Sequence, residues 1–241
     1  MTGEAAVRLN KYSEVRESIY GKHVRSSDML LTGLIYGCTA VSLLILVGIL
    51  GYTFVRGIPH VTWSFLSTAS SAVKGTFGIL GNIINTIYIV VITLLIATPI
   101  GVGSAIYLNE YAKPGKIVRM IEFTTETLSG IPSIIFGLFG MVFFGNTLGL
   151  GYSILTGSLT LTLMILPLIT RTTQEALKTV PDSYRHGALG IGATKWYMIR
   201  TILLPSAMPG IITGVILAIG RIVGESAALL FTAGSGYYLP K

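Results

Sequence analysis

Two long stretches without a charged residue constrain the fold of this chain more than any other feature. Residues 29–55 form an uncharged run of 27 positions, and residues 75–109 form one of 35. About 20 consecutive apolar residues are enough to cross the hydrocarbon core of a bilayer. Charged residues make up only 11% of the 241-residue chain, against roughly 25% in a soluble domain. The sequence therefore predicts an all-α integral membrane protein.

Five membrane spans are predicted from the apolar runs. The third is the least regular because Gly130-Ile131-Pro132 interrupts it, and the polar link 56–76 is long enough to hold a short interfacial helix. No sixth apolar run follows within the 241 residues, and we expect a truncated chain rather than a divergent one. The predicted organisation is an N-terminal tail, residues 1–28, and a membrane domain, residues 29–240. The predicted spans are 29–55, 83–108, 119–145, 154–170 and 205–231.

The distribution of Lys and Arg predicts which loops face the cytoplasm. Five lie in residues 1–28 and five in residues 171–200, and three lie in residues 109–119. The link 56–76 has two, and the turn at 145–153 has none. Because positively charged loops remain on the cytoplasmic side, the N-terminus is predicted to be cytoplasmic. The net charge of +7 follows from this topology and does not indicate nucleic-acid binding.

The residue types that carry enzyme chemistry form no recognisable set. Cys38 is the only cysteine, so no intrachain disulfide can form. His23, His60 and His186 are scattered at no metal-ligand spacing. No G-x-x-x-x-G-K-[ST] nucleotide-binding motif occurs. We therefore expect no metal, no cofactor and no catalytic residue in this chain.

A polar stretch at residues 171–204, called the polar loop below, has the pattern of a helical corner. A helix over 172–180 is predicted to end at Pro181, because proline cannot continue it. Asp182 or Ser183 is predicted to cap a second short helix, and Gly190 and Gly192 are predicted to break that helix and let the chain turn. The charge count places the polar loop in the cytoplasm. A short helix between two corners is suited to fit a cleft on a partner protein.

The second half of the polar loop carries a spaced motif. Three residues separate His186-Gly187-Ala188 from Gly192, and nine more lead to Ile202-Leu203-Leu204-Pro205. This spacing resembles the EAA loop of ABC importer permeases, with His in place of Glu and Gly in place of the first Ala. The resemblance implies that the loop docks on a separate ATPase. The implied docking residues are Pro181, Tyr184, Arg185, His186, Gly187, Ala188, Gly192 and Ala193.

Three further segments narrow the resemblance. Residues 85–112, 128–140 and 220–234 are similar to the PstA-type permease subunit of the phosphate-specific ABC importer, a binding-protein-dependent transport system inner-membrane component. The resemblance implies a polytopic, type I, MetI-like permease fold, usually with six spans. It also implies translocation of inorganic phosphate across a bacterial or archaeal cell membrane. The implied partners are a PstC-type second permease, an ATPase dimer and an extracytoplasmic phosphate-binding protein.

Charged residues inside the predicted spans are candidates for a substrate pathway, because an intramembrane charge is costly unless it is paired or faces water. Arg221 lies about 24 Å along a helix from Pro205, at ~1.5 Å per residue, which is past the midplane. Glu225, at i+4, is predicted to pair with Arg221. Glu126 is predicted to pair with Arg171 or Arg221. We predict that Arg221, Glu225 and Glu126 line the pathway. The alternative for Arg221 and Glu225 is an ion pair that only locks their helix to a neighbour, and the alternative for Glu126 is hydration at the membrane interface.

Two other functions stay open at the level of the sequence. The chain can be a permease for another oxyanion, such as sulfate or molybdate. It can also be a membrane scaffold or sensor subunit without a transport path, in which case Arg221 and Glu225 are sealed in a dry interface. A membrane enzyme is disfavoured, because no catalytic set lies in or beside a span.

Overall fold

The computed structural model describes residues 26–71 and 75–234 and is almost entirely helical. The chain divides into two compact units, Met1–Thr62 and Trp63–Lys241. Most of the predicted N-terminal tail, residues 1–25, lies outside the described residues, as do residues 235–241 after the predicted fifth span. Each unit is described by itself below.

The first unit contains one long helix, α1 (Ser26–Gly57), followed by a 3-10 turn (Ile58–His60). Asp28 lies in the first turn of α1 and Arg56 in the last, where each charge complements the helix dipole. The side chains of α1 from residue 28 onward are exposed in this unit, as expected for a helix that meets lipid or other protein. The predicted first span is confirmed as a continuous helix long enough to cross a bilayer.

The second unit begins with a short helix and a hairpin. Helix α2 (Trp63–Ser67) is the short helix predicted for the link. It is followed by β1 (Ala69–Ser71) and β2 (Thr76–Ile79), which pair antiparallel. This hairpin was not predicted from the sequence. At Gly78 a Cβ atom would collide with the carbonyl oxygen of Thr68, so glycine is required for the close approach of the two segments.

Helix α3 (Leu80–Ile106) is the predicted second span, and a π-helical turn (Tyr107–Tyr111) extends it. The helix packs along α6 (Ile154–Lys178), which is the central element of the unit. The two helices approach closely at Gly101, where an added Cβ would lie 2.8 Å from Cγ2 of Ile169. Small residues at such positions let membrane helices pack backbone to backbone.

The predicted third span is not one straight helix, and it is broken at the irregular point that the sequence indicated. The structure has two helices here, α4 (Lys116–Ser129) and α5 (Ser133–Gly140), and a π-helical segment (Met141–Thr147) continues α5. The two halves are bent by 101° at Gly130-Ile131-Pro132. The cause is local, because Pro132 has extended backbone angles (φ −58°, ψ 138°) and lacks the N–H that would continue α4.

Helix α6 is longer than the predicted fourth span and runs on into the polar loop. The side chain of Ser153 caps its N-terminus by accepting a hydrogen bond from Thr156 N at 3.1 Å. Its buried face forms the centre of the core with α3, α5 and a later helix, α9 (Leu204–Val223). Leu161, Met164 and Ile165 are among the residues of this face. The buried hydroxyls of Thr160 and Thr162 on this face donate to carbonyl oxygens of the same helix, which satisfies them without water.

The last part of the described chain is a series of shorter elements. These elements are α7 (Asp182–Gly190), α8 (Lys195–Met198), a π-helical turn (Ile199–Leu203), α9 (Leu204–Val223) and α10 (Ala227–Thr232). The predicted fifth span, 205–231, is wrong as one helix, because α9 ends at Val223 and residues 224–226 separate it from α10. Among the described residues, four helices are long and apolar enough to span a membrane, or five if the bent pair is one span.

Candidate functional site

The short helix α7 stands between two sharp corners, as the sequence predicted. Pro181, with φ −58° and ψ 140°, precedes it, and Gly192 follows it with φ +84°. A positive φ at this position favours glycine, because a Cβ would clash with the backbone. The prediction that Asp182 or Ser183 caps the helix is wrong, because Pro181 occupies the cap position without a side-chain bond. Thr194 instead caps the following helix, α8, by accepting from Tyr197 N at 3.3 Å.

The predicted docking residues separate onto two faces of α7. Exposed positions are Pro181, Tyr184, His186, Gly187 and Gly192, whereas Ala193 is half-buried. Ala188 is buried in a cluster with Leu177, Met198, Ile199 and Leu203. The small side chain of Ala188 therefore packs against the body of the unit, and its docking role stays a prediction.

Two exposed apolar side chains on the outer surface were missed. Leu189 is the next-to-last residue of α7, and Ile191 follows the helix with 87% of its surface exposed. Leu189 lies inside the span of the EAA-like spacing, and Ile191 is the residue just before Gly192. A large apolar side chain in a polar loop was the signal in the sequence that could have identified them.

Arg185 also faces inward, and its predicted docking role stays a prediction. Its guanidinium donates to Leu177 O and Val180 O, both at 2.9 Å, and to Asp182 Oδ1 at 3.0 Å. It also donates to Oε1 of Glu110 from Nε at 3.2 Å and from Nη2 at 3.0 Å. Only 17% of the Arg185 side chain and 5% of the Glu110 side chain are exposed. Arg185 is therefore saturated with intramolecular partners.

The residues around Glu110 were not predicted as part of any site. Asn109 Nδ2 donates to Glu110 Oε1 at 2.7 Å, so this carboxylate receives bonds from two directions. The ammonium group of Lys195 lies 5.0 Å from the ring centre of Tyr111, a cation–π distance. Glu110 is the first charge after 35 uncharged residues, which was the only sequence signal for its special position.

A cavity of about 600 Å³ lies between α4, α6 and α9 and is lined by charges of both signs. Arg221 contributes to its wall, and the cavity also reaches Lys178 in the last turn of α6. The space beside Arg221 is therefore continuous with the polar-loop end of α6. The lining residues are Leu108, Glu122, Thr125, Glu126, Ser129, Pro167, Leu168, Arg171, Gln174, Glu175, Lys178 and Arg221.

One cation of the cavity is already paired. Arg171 Nη1 lies 2.6 Å from Glu126 Oε1, and Arg171 Nε lies 3.1 Å from Glu175 Oε1. The first contact joins α4 to α6, and the second joins two residues of α6. The predicted pairing of Glu126 is confirmed with Arg171 as the partner. All three side chains are more than half exposed, so the pairs are weak contributors to stability.

The predicted ion pair of Arg221 with Glu225 is not formed. Glu225 Oε1 instead accepts a hydrogen bond from Ala228 N at 3.0 Å, at the start of α10. The physical reason is that α9 ends at Val223, so Glu225 does not occupy the next helical turn. Within residues 26–71 and 75–234, Arg221 has no ion-pair partner and is half-buried. The structure therefore brings Arg221 and Glu126 to one cavity and assigns Glu225 to a helix start.

A comparison with known protein families assigns most of the second unit. Residues 97–241 match the family described as binding-protein-dependent transport system inner membrane component. The chain belongs to this family. It is a multi-pass membrane protein and the permease subunit of an ABC importer, in which separate subunits hydrolyse ATP and a separate protein binds the substrate. The EAA-like spacing and the missing nucleotide motif agree with that division of labour.

Curated relatives of the permease extend over most of the chain. It is 43% identical over 208 residues to the probable ABC transporter permease YqgI of Bacillus subtilis, covering 86% of this chain and 71% of that protein. It is 34% identical over 215 residues to the phosphate transport system permease PstA of Haemophilus influenzae, covering 89% and 76%. PstA of Mycobacterium leprae is 35% identical over 198 residues, covering 80% and 65%.

Solved structures support the fold of the permease. An inward-facing crystal structure of the MetNI methionine ABC transporter superimposes with a TM-score of 0.54 at 24% identity. The match covers 66% of this chain and 74% of that one. The predicted MetI-like permease fold is therefore confirmed.

Proposed function

We propose that this permease translocates inorganic phosphate across a bacterial or archaeal cell membrane. Its PstA relatives and the PstA-like segments at 85–112, 128–140 and 220–234 support this substrate. In this proposal the permease pairs with a PstC-type subunit. An ATPase dimer docks on the polar loop, and an extracytoplasmic phosphate-binding protein delivers the ion. The N-terminus is cytoplasmic, as the Lys and Arg distribution predicts.

The observation that carries the proposal is the guanidinium of Arg221, which lies in the wall of the cavity of about 600 Å³ and has no ion-pair partner among the described residues. The other arginine of this cavity, Arg171, is engaged by two carboxylates, and Lys178 is an exposed ammonium in the last turn of α6. Arg221 is half-buried and keeps its donors available. A guanidinium presents a planar fork that matches two oxygens of a phosphate and stays charged at any physiological pH.

The acidic residues of the cavity have a distinct part in this proposal. Glu122, Glu126 and Glu175 balance the charges of Arg171, Lys178 and Arg221. A cavity with a large positive excess would hold a phosphate too tightly to release it, and transport requires release as well as binding. Glu126 therefore limits the affinity of the pathway by holding Arg171. Glu225 acts indirectly, because its bond to Ala228 N shapes the break that follows Arg221.

In this proposal, the polar loop transmits conformational changes of the ATPase to this cavity. In this proposal the ATPase contacts the exposed face of α7 and the residue just after it. The contacting side chains are Tyr184, His186, Leu189 and Ile191. Helix α7 is connected through one corner to α6, which carries Arg171, and through α8 to α9, which carries Arg221. Displacement of α7 during the ATPase cycle therefore shifts the two arginines relative to α4 and Glu126. Such a shift exposes or withdraws the guanidinium groups.

The test is oxyanion uptake by the purified complex in proteoliposomes, comparing Arg221→Ala and Arg221→Lys with Arg200→Ala. Arg200 is an exposed cation in the π-helical turn that precedes α9, and it does not line the cavity. It is therefore a matched control for Arg221. We expect Arg221→Ala to abolish phosphate uptake, Arg221→Lys to reduce it, and Arg200→Ala to leave it unchanged.

Competing oxyanions decide the substrate in the same assay. Sulfate or molybdate uptake exceeding phosphate uptake in the wild type would contradict the proposed substrate. A complex that takes up none of the three ions, while remaining assembled, would favour the scaffold or sensor function.

A further inference from the structure

We propose that the Glu110–Arg185 ion pair makes the end of α3 move as one body with α7, so that the ATPase stroke also drives α3. The proposal rests on the proposed docking of the ATPase on α7. It assigns Glu110 and Arg185 as positioning residues for energy coupling, because neither lines the cavity beside Arg221.

Arg185 connects three parts of the chain through one guanidinium. Its bonds to Leu177 O and Val180 O hold the end of α6 and the corner that follows it. Its bonds to Glu110 Oε1 hold the π-helical turn that extends α3. The carbonyl groups of Leu177 and Val180 lie at and just beyond the end of α6, where regular helical bonding stops, so the guanidinium adds hydrogen bonds there. Helix α7 therefore cannot shift relative to either neighbour without breaking charge-assisted bonds.

Burial distinguishes the Glu110 contact from the other carboxylate contact of the same arginine. Asp182 Oδ1 is as close to Arg185 as Glu110 Oε1 is, at 3.0 Å in both cases. The Asp182 side chain is 81% exposed, whereas that of Glu110 is 5% exposed. Water can replace the first partner but not the second, because a buried charge that loses its partner is left uncompensated. Asp182 also belongs to α7 itself, so its contact joins no second element.

A second contact attaches the polar loop to the same π-helical turn. Lys195, the first residue of α8, places its ammonium 5.0 Å from the ring centre of Tyr111. One contact alone would act as a pivot. Arg185 of α7 contacts Glu110, and Lys195 of α8 contacts the adjacent Tyr111. The end of α3 is therefore held by both of the helices that flank the corner at Gly192. The turn 107–111 therefore follows the rotation of the loop as well as its translation.

The coupling to α3 has a consequence for the membrane part of the unit. Helix α3 contacts α6 closely at Gly101, where no room exists for a Cβ, and the hydroxyl of Thr93 donates to Ser158 O at 3.3 Å. Packed helices transmit displacement because their interiors are close to crystal density. With its cytoplasmic end attached to α7, helix α3 moves with α6 rather than sliding past it.

The first experiment compares two isosteric changes that each remove one carboxylate from Arg185. Glu110→Gln and Asp182→Asn are introduced into the whole complex in proteoliposomes, and phosphate-stimulated ATP hydrolysis and phosphate uptake are measured together. We expect Glu110→Gln to keep the ATPase bound and active but to lower the phosphate moved per ATP roughly fivefold. Asp182→Asn keeps the wild-type ratio. An unchanged ratio in Glu110→Gln would overturn the proposal.

A second pair of variants protects the test against a folding defect at Glu110. Tyr111→Leu removes the ring that Lys195 contacts, whereas Tyr111→Phe keeps it. We expect the ratio of phosphate moved to ATP hydrolysed to fall in Tyr111→Leu and to remain normal in Tyr111→Phe. Equal ratios in these two variants, with assembled complexes, would contradict the role of the turn 107–111.

Spin-label distances report the motion directly. Labels at Tyr107→Cys and Ser183→Cys, both exposed positions outside the named docking residues, are placed in a Cys38→Ser background. The distance between the labels should be the same without nucleotide and with trapped ATP, and should change between these states when Glu110→Gln is added. A wild-type distance that changes on ATP trapping would overturn the proposal.

Two other outcomes concern the proposed function and not this coupling. Stimulation of ATP hydrolysis by sulfate instead of phosphate would refute only the substrate, and loss of the ATPase from the wild-type complex would refute the docking.

Discussion

Arg171 on α6 lies 2.6 Å from Glu126 on α4, and both residues line the cavity that Arg221 also lines. The two residues are 45 positions apart in the chain. The cavity therefore contains one arginine, Arg171, whose guanidinium is bound by a carboxylate, and a second, Arg221, whose donors are available to a substrate. In the proposed transport cycle, the phosphate competes with Glu126 for the guanidinium of Arg171.

Replacement of Glu126 by Gln should increase the affinity for phosphate without a large loss of stability. The free energy of unfolding should change by less than ~1 kcal/mol, because the pair is more than half exposed. The KM for phosphate uptake should fall two- to fivefold, which corresponds to an ion pair of up to ~1 kcal/mol. Uptake kinetics in proteoliposomes measure this change. Glu175→Gln is the control, since it removes a longer contact within α6, and its KM should fall less. A higher KM in Glu126→Gln would contradict the competition.

Replacement of Glu110 by Ala should destabilise the permease far more than replacement of Asp182 by Ala. Loss of one partner from a buried ion pair costs about 3–5 kcal/mol, whereas an exposed pair contributes ~1 kcal/mol or less. Thermal unfolding of the detergent-solubilised complex should therefore show a clear fall in Tm for Glu110→Ala and almost none for Asp182→Ala. Similar Tm values for both variants would mean that water reaches the Glu110 carboxylate.

Replacement of Gly192 should act through the backbone alone. Nothing lies within 4 Å of an added Cβ at this position, but its φ of +84° costs an L-residue about 1–2 kcal/mol. We expect Gly192→Val to reduce both retention of the ATPase on the purified permease and phosphate uptake. Gly190→Ala, which also meets open space but has no positive φ, should keep both near wild type. Normal uptake in Gly192→Val would show that the corner geometry is not required for docking.

Two glycines of α3 should respond very differently to substitution by alanine. At Gly101 a Cβ would lie 2.8 Å from the buried side chain of Ile169, whereas at Gly103 it meets nothing within 4 Å. Overpacking of a close helix contact costs roughly 1–3 kcal/mol. Gly101→Ala should therefore lower the Tm and the yield of folded permease, and Gly103→Ala should leave both unchanged. The opposite order would contradict the α3–α6 packing described here.

The elements that local sequence dictates were predicted with good accuracy. Helices α1, α3 and α6 coincide with uncharged or apolar runs, because the transfer of a helix into lipid depends on its own side chains. The corners at Pro181 and Gly192 were predicted because each follows from the backbone preference of one residue. The same reasoning located the irregularity at Gly130-Ile131-Pro132. The size of the bend, 101°, was not predictable, since it depends on how α5 packs on α6 and α10.

The choice of side-chain partners was predicted less well. Glu126 was assigned two possible partners, and the structure selected Arg171. Arg185 was assigned to the docking surface because it lies in the EAA-like motif, but it turns inward to Glu110. Glu225 was assigned to Arg221 on the assumption that the helix continues, and the helix ends first. Helical spacing states which residues share a face, but not whether that face meets solvent, lipid or another helix.

The amino-acid sequence by itself determined the membrane class, the positions of helices α1, α3 and α6 and the spacing of the polar loop, because each depends on residues that are neighbours in the chain. Only the tertiary structure decided that Glu110 receives Arg185 across 75 positions and that Arg221 has no ion pair within the described part of the chain. Those outcomes depend on the packing of α3 and α9 against α6. That packing is a balance of close contacts among residues from distant segments, and no single segment contains it.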